Sequence, residues 1–147
     1  MDKKPRNINL FKLIQRYLIG IVGLMLMIFV LIFSWLPNPD IGLLPIFPHW
    51  LGEWTNKNKN LRTAVPFVFL GFIGPFLPLF SNKSIWTRAM LVLVSLLFLV
   101  SMAEVGQLLL PRRHFDWGDI GWGMAGTLLG MLPALAIQQL VLKKKTL

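Results

Sequence analysis

Six polar residues fall within sixteen positions of one another: Glu104, Gln107, Arg113, His114, Asp116 and Asp119. Glu104 and His114 are candidates for general acid or base work, moving a proton to or from a bound group. The planar fork of Arg113 suits a carboxylate or a phosphate equally well. Asp116 and Asp119 could hold a divalent cation against phosphate, although two carboxylates alone are a weak metal signal. Glu104 and Gln107 are three apart and share one face of a helix. No nucleophile stands beside a base at a recognised spacing. Ser95 and Ser101 lie on an apolar run, where Ser101 suits a helix-packing hydroxyl. Catalysis is therefore left open, and the ligand-binding candidates are Glu104, Gln107, Arg113, Asp116 and Asp119.

The same residues admit a structural account. Glu104 and Arg113 could be a buried pair that fixes two helices against each other. Asp116 could be an N-cap, with Asp119 in the first helical turn. His114 would then be an exposed hairpin residue, and Arg112 a topology or lipid-phosphate charge. The two readings part over Glu104. Seven residues before Pro111, it lies ~10 Å along the axis of an apolar helix. A carboxyl at that depth should be paired, protonated or in a wet cavity, and intramembrane carboxylates are functional candidates by default.

The elements that must position these residues follow from composition. Of 147 residues, 55% are hydrophobic and 14% charged, with a net charge of +9. A soluble domain sits nearer half apolar and a quarter charged. The apolar residues come in long runs, which points to a bilayer protein and excludes disorder. Cysteine is absent, so disulfides, thiolate metal sites and cysteine nucleophiles are excluded. With histidine only at His49 and His114, a multi-histidine metal site cannot form within one chain. No cofactor or resident metal is expected. The basic balance reads as topology charge flanking membrane spans rather than as a nucleic-acid footprint.

Four apolar runs, at about 17–36, 63–80, 89–110 and 120–142, predict an all-α integral membrane four-helix bundle in one domain, 1–147. The first run ends in Ser34-Trp35-Leu36-Pro37 without a small-x-small cleavage site, so it is expected to be an uncleaved helix. Between spans one and two, residues 37–61 form a loop whose middle, Ile41 to Trp54, is apolar but broken by Pro45 and Pro48. Trp50 and Trp54 place it at the headgroup level. A polar hairpin, Pro111 to Asp119, joins spans three and four. Lys3, Lys4, Arg6, Lys12, Arg16, Lys83, Arg88 and Lys143 to Lys145 lie on one side of this arrangement. Lys57, Lys59, Arg62, Arg112 and Arg113 lie on the other. The excess puts both termini in the cytoplasm, so the aromatic loop and the polar hairpin face outward. The expected location is the cell membrane, multi-pass.

Gly126 and Gly130 are four apart, as are Gly121 and Ala125, a spacing that favours close helix packing. Taken with Glu104-x-x-Gln107-x-x-x-Pro111-x-Arg113 and then Asp119, the pattern resembles the VanZ-like family of small bacterial membrane proteins. Asn60 followed by Pro66 is similar to the opening of that family's second span, and the resemblance covers residues 60 to 133. The chain has Gly123 where the family has asparagine, Ala64 where it has phenylalanine and Val68 where it has glycine. The family is associated with low-level resistance to glycopeptide antibiotics, teicoplanin especially. The resemblance therefore implies a place in the cell envelope rather than a defined reaction.

Three functions follow as expectations. The first is a cell-envelope protein that binds or modifies an amphiphile at the outer leaflet and contributes to glycopeptide tolerance. Its ligand would be a lipid-linked wall precursor, a phospholipid or a lipoglycopeptide, and its partners membrane lipids rather than nucleic acid. The second is a non-catalytic assembly partner of an envelope complex, acting with another membrane protein or as a homo-oligomer. The third is a small proton-coupled transporter. It is disfavoured because the polar residues cluster near one end of the spans, whereas carriers place their site at the midplane between repeated halves.

Overall fold

A computed structural model of the chain describes residues 10–38, 40, 44–45, 47–80 and 82–145. Among these residues the chain is all-helical, with no strand. Helices α1 (Leu10–Ser34), α2 (His49–Lys57), α3 (Lys59–Ile73), α4 (Ile85–Gln107) and α5 (Trp117–Lys145) follow in order. Two short 3-10 turns, Gly74–Phe76 and Pro78–Phe80, extend α3. Lys3, Lys4 and Arg6 of the basic tail lie outside the described residues, as do residues 41–43 of the aromatic loop.

Three helices are long and apolar enough to cross a membrane: Leu13–Ser34 of α1, all of α4, and Trp117–Lys143 of α5. The expected second span is different. Its α-helix starts at Lys59 and stops at Ile73, giving ~22 Å of rise against a hydrocarbon core of roughly 30 Å. Pro75 and Pro78 have no N–H to continue the ladder, so the segment tightens into the 3-10 turns. Pro66 lies at the middle of α3, where it removes one i→i−4 hydrogen bond of the ladder.

The other boundaries also shift, each for a local reason. Ser84 caps α4 by accepting a hydrogen bond from the Thr87 N–H at 3.2 Å, so the helix begins at Ile85, ahead of the expected third span at about 89–110. At the far end Leu108, Leu109 and Leu110 donate to carbonyls three residues back, and α4 unwinds before Pro111. Glu104 consequently sits in the last turn of α4, nearer the helix end than the sequence suggests. The loop before α3 contains α2, a helix that the prolines of the segment did not suggest.

The ends of the helices give their directions. Ser34 of α1 meets Gln107 of α4, and Thr63 of α3 meets Asp119 of α5. The last turns of α1 and α4 therefore share one end of the molecule with the first turns of α3 and α5. The buried core lies between α3, α4 and α5 and is built on Phe67, Leu70, Val92, Leu96, Val100 and Met131. Outward faces are apolar as well, with Ile21, Met25, Phe98, Leu129 and Leu132 exposed. Such all-round apolarity belongs to a helix in a bilayer or a large core.

The tightest packing joins α3 to α5. A Cβ at Gly126 or Gly130 would overlap the backbone carbonyl of Ala64 or Val68, and one at Gly71 would overlap that of Thr127. Gly126 and Gly130 thus form the close-packing face expected from their spacing. Gly121 does not join it, having nothing within 4 Å of its Cβ position. At the opposite end of α5, Gln138 donates to the Pro75 carbonyl at 2.8 Å and ties the helix to the 3-10 turn.

Candidate functional site

Glu104 is the centre of a buried polar knot, 3% exposed beside Gln107 at 5%. Its Oε1 accepts from the Gln107 amide at 2.7 Å, the pairing expected of two residues one turn apart. Its Oε2 accepts from the backbone N–H of Asp116 at 3.1 Å, which draws the hairpin over the end of α4. The Gln107 amide also donates to Ser34 Oγ at 3.0 Å, fixing α1 to α4. Beside it, the Trp35 indole donates to the Ala103 carbonyl at 3.1 Å. Gly106 makes room for that ring, since a Cβ there would overlap the indole nitrogen.

Arg113 is not the ion-pair partner of Glu104. Its guanidinium donates instead through Nε to the Leu36 carbonyl at 3.1 Å and through Nη2 to the Phe33 carbonyl at 3.3 Å. The last carbonyls of a helix have no intrahelical partner and carry the negative end of its dipole. Arg113 satisfies that need for α1 from the hairpin. Burial and the nearby charge of Arg62 pull its pKa below the ordinary value, while Glu104 and Asp119 act in the opposite sense. Three of its five N–H donors make no hydrogen bond among the described residues.

Both aspartates have structural partners. Asp116 Oδ1 accepts from the Gly118 N–H at 2.7 Å, the N-cap geometry for a helix that begins at Trp117. Asp119 Oδ1 accepts from the Thr63 hydroxyl at 2.9 Å, clasping the starts of α3 and α5. His114 is exposed and shares no hydrogen bond with Glu104. No group of three or more His, Asp or Glu side chains with metal-holding geometry occurs among the described residues.

Two cavities meet at this knot. One, of about 270 Å³, lies among α1, α2, α3, α4 and the first turn of α5. Its body is apolar, formed by Phe29, Phe33, Phe47, Leu51, Phe67 and Val100, and its polar end is Glu104, Gln107, Arg62, Arg113 and Asp119. The other is a more open cleft of about 460 Å³. Lys59, Arg62, Arg112, Arg113 and His114 line it, together with Asp40, Asp116 and Asp119. Arg62, Gln107, Arg113 and Asp119 border both.

The six residues singled out in the sequence therefore converge on one end of the molecule. Glu104, Gln107, Arg113 and Asp119 border the apolar cavity, whereas His114 and Asp116 border the cleft alone. The sequence pointed less clearly to Ser34, Arg62 and Thr63. Ser34 closes an otherwise apolar run, and a lone hydroxyl at a helix end is a usable signal. Arg62 counted as a topology charge and Thr63 as the first residue of a span, and only the crossing of α3 with α5 brings them in. No protein-family model, curated protein or solved structure matches the chain.

Proposed function

We propose that the chain is a four-span, VanZ-like protein of the cell membrane that holds an amphiphilic ligand at the outer leaflet. In this reading α3 and its 3-10 turns make the second crossing, both termini are cytoplasmic, and the Glu104–Arg113 end faces outward. One observation carries the proposal: an apolar cavity ends in a buried polar knot and adjoins a charged cleft. An aliphatic chain fits the first and a polar headgroup the second. Ligand sites of this kind are mostly apolar with a few convergent polar groups.

The test is lipid-induced thermal stabilisation of the purified protein. The panel comprises a lipid-linked wall precursor, anionic and zwitterionic phospholipids, and a lipoglycopeptide with and without its acyl chain. A selective shift that is lost in Glu104→Gln and Arg113→Ala is the expected result. Equal shifts for every lipid, unchanged in both variants, would make the knot a structural clasp and end the binding reading.

A further inference from the structure

The two cavities differ in size and charge in a way that narrows the ligand. We infer that the occupant has a single hydrocarbon chain and a phosphate headgroup, and that it enters sideways from the bilayer between α1 and α3. This inference rests on the amphiphile reading above and deepens it.

The chain number follows from volume. Sites for small molecules run to ~300–1,000 Å³, and the apolar cavity, at about 270 Å³, falls just below that range. It has room for part of one chain, so a diacyl lipid would have to leave its second chain outside in the bilayer.

The headgroup follows from charge. Lys59, Arg62, Arg112 and Arg113 all line the cleft. Three carboxylates, Asp40, Asp116 and Asp119, face these four cations, and the lining keeps an excess of one positive charge. Arg62 and Arg113 both line the border shared by the two cavities, and the charge of Arg62 reaches the Arg113 guanidinium. Two guanidinium groups lining the mouth of an apolar chamber suit an oxyanion there, and the free donors of Arg113 can grip it.

The route follows from exposure. Phe29 of α1 and Val65 of α3 line the apolar cavity and are also 43% and 40% exposed. They mark a lateral opening between these helices, through which a chain passes without leaving the hydrocarbon.

Competition photo-crosslinking tests the inference on the full chain in phosphatidylcholine nanodiscs. The probe is a lysophosphatidate with a diazirine near the end of its acyl chain, and labelled peptides are mapped by mass spectrometry. Labelling is expected in the α1 and α3 segments around Phe33 and Phe67. Unlabelled lysophosphatidate should compete at concentrations at least about tenfold lower than monoacylglycerol or diacyl phosphatidate, a preference worth one decade of affinity. The double variant Lys59→Gln/Arg112→Gln, at two exposed positions, should narrow the margin over monoacylglycerol. Val65→Trp should slow labelling by narrowing the opening.

Cavity labelling competed equally by monoacylglycerol would overturn the phosphate headgroup, and equal competition by diacyl phosphatidate would overturn the single chain. An unchanged labelling rate in Val65→Trp would overturn lateral entry. Each of these would leave the amphiphile reading standing. Labelling confined to outward-facing residues such as Phe98 and Leu129 would overturn that reading together with the inference.

Discussion

Replacing Gly130 by alanine should separate α3 from α5 and destabilise the protein. The new Cβ would overlap the Val68 carbonyl oxygen and lie 2.8 Å from the Val68 carbonyl carbon and 2.9 Å from the Phe72 nitrogen. These are backbone atoms of a helix and have no rotamer to yield, so α5 must withdraw as a unit. Overpacking of this kind costs about 1–3 kcal/mol. Gly126→Ala meets the Ala64 carbonyl in the same way, one turn earlier on the same face. A single withdrawal of α5 relieves both clashes. The double variant should therefore lose little more than the worse single one, a departure from additivity expected of coupled neighbours. Gly121→Ala is the control: with open space around it, the same methyl should cost nothing and add up to about 1 kcal/mol of helix preference. Reversible unfolding in mixed micelles with increasing dodecyl sulfate measures all four proteins. Wild-type stability in Gly130→Ala, or an equal loss in Gly121→Ala, would refute the close α3–α5 crossing.

Other perturbations address the knot. Glu104→Ala leaves the Asp116 N–H without its acceptor while Gln107 keeps Ser34. A loss of about 1–3 kcal/mol is expected, with faster hydrogen exchange at the Asp116 amide as its local signature. Asp116→Ala removes the cap of α5 and should cost about 0.5–2 kcal/mol, whereas Asp116→Asn, which can still accept from the Gly118 N–H, should stay near wild type in the same unfolding assay. Thr63→Val breaks the clasp on Asp119 and should cost about 1–3 kcal/mol, because the lost bond goes to a carboxylate. If Asp119→Leu added to Thr63→Val produces a further full loss rather than a smaller one, the two side chains do not act as a pair.

The class of molecule and the neighbourhood of its polar chemistry were legible in the order of residues alone. Long uncharged runs leave little choice but apolar helices, and three of them have the length to cross a membrane. Glu104 and Gln107 were readable as a pair because a spacing of three fixes a shared helix face whatever the rest of the fold does. The cap at Asp116 was readable for the same reason, since it depends on residues two positions apart. Gly126 and Gly130 announced a close packing face through their spacing alone, but not which helix would meet it.

The long-range partners depend on how the helices are placed. Charge complementarity suggested Glu104 with Arg113, yet the guanidinium goes to the open carbonyls of α1, and a backbone N–H of the hairpin takes its place on the carboxylate. A sequence displays side-chain charges, whereas the unpaired carbonyls at a helix end become visible as acceptors only once the end is placed. The same limit hid the clasp of Thr63 on Asp119 and the seat of Trp35 over Gly106. It also hid the apolar cavity, whose lining comes from five helices. The spacing that organises one helix carries no information about how far its neighbours stand away, and that distance creates the cavity.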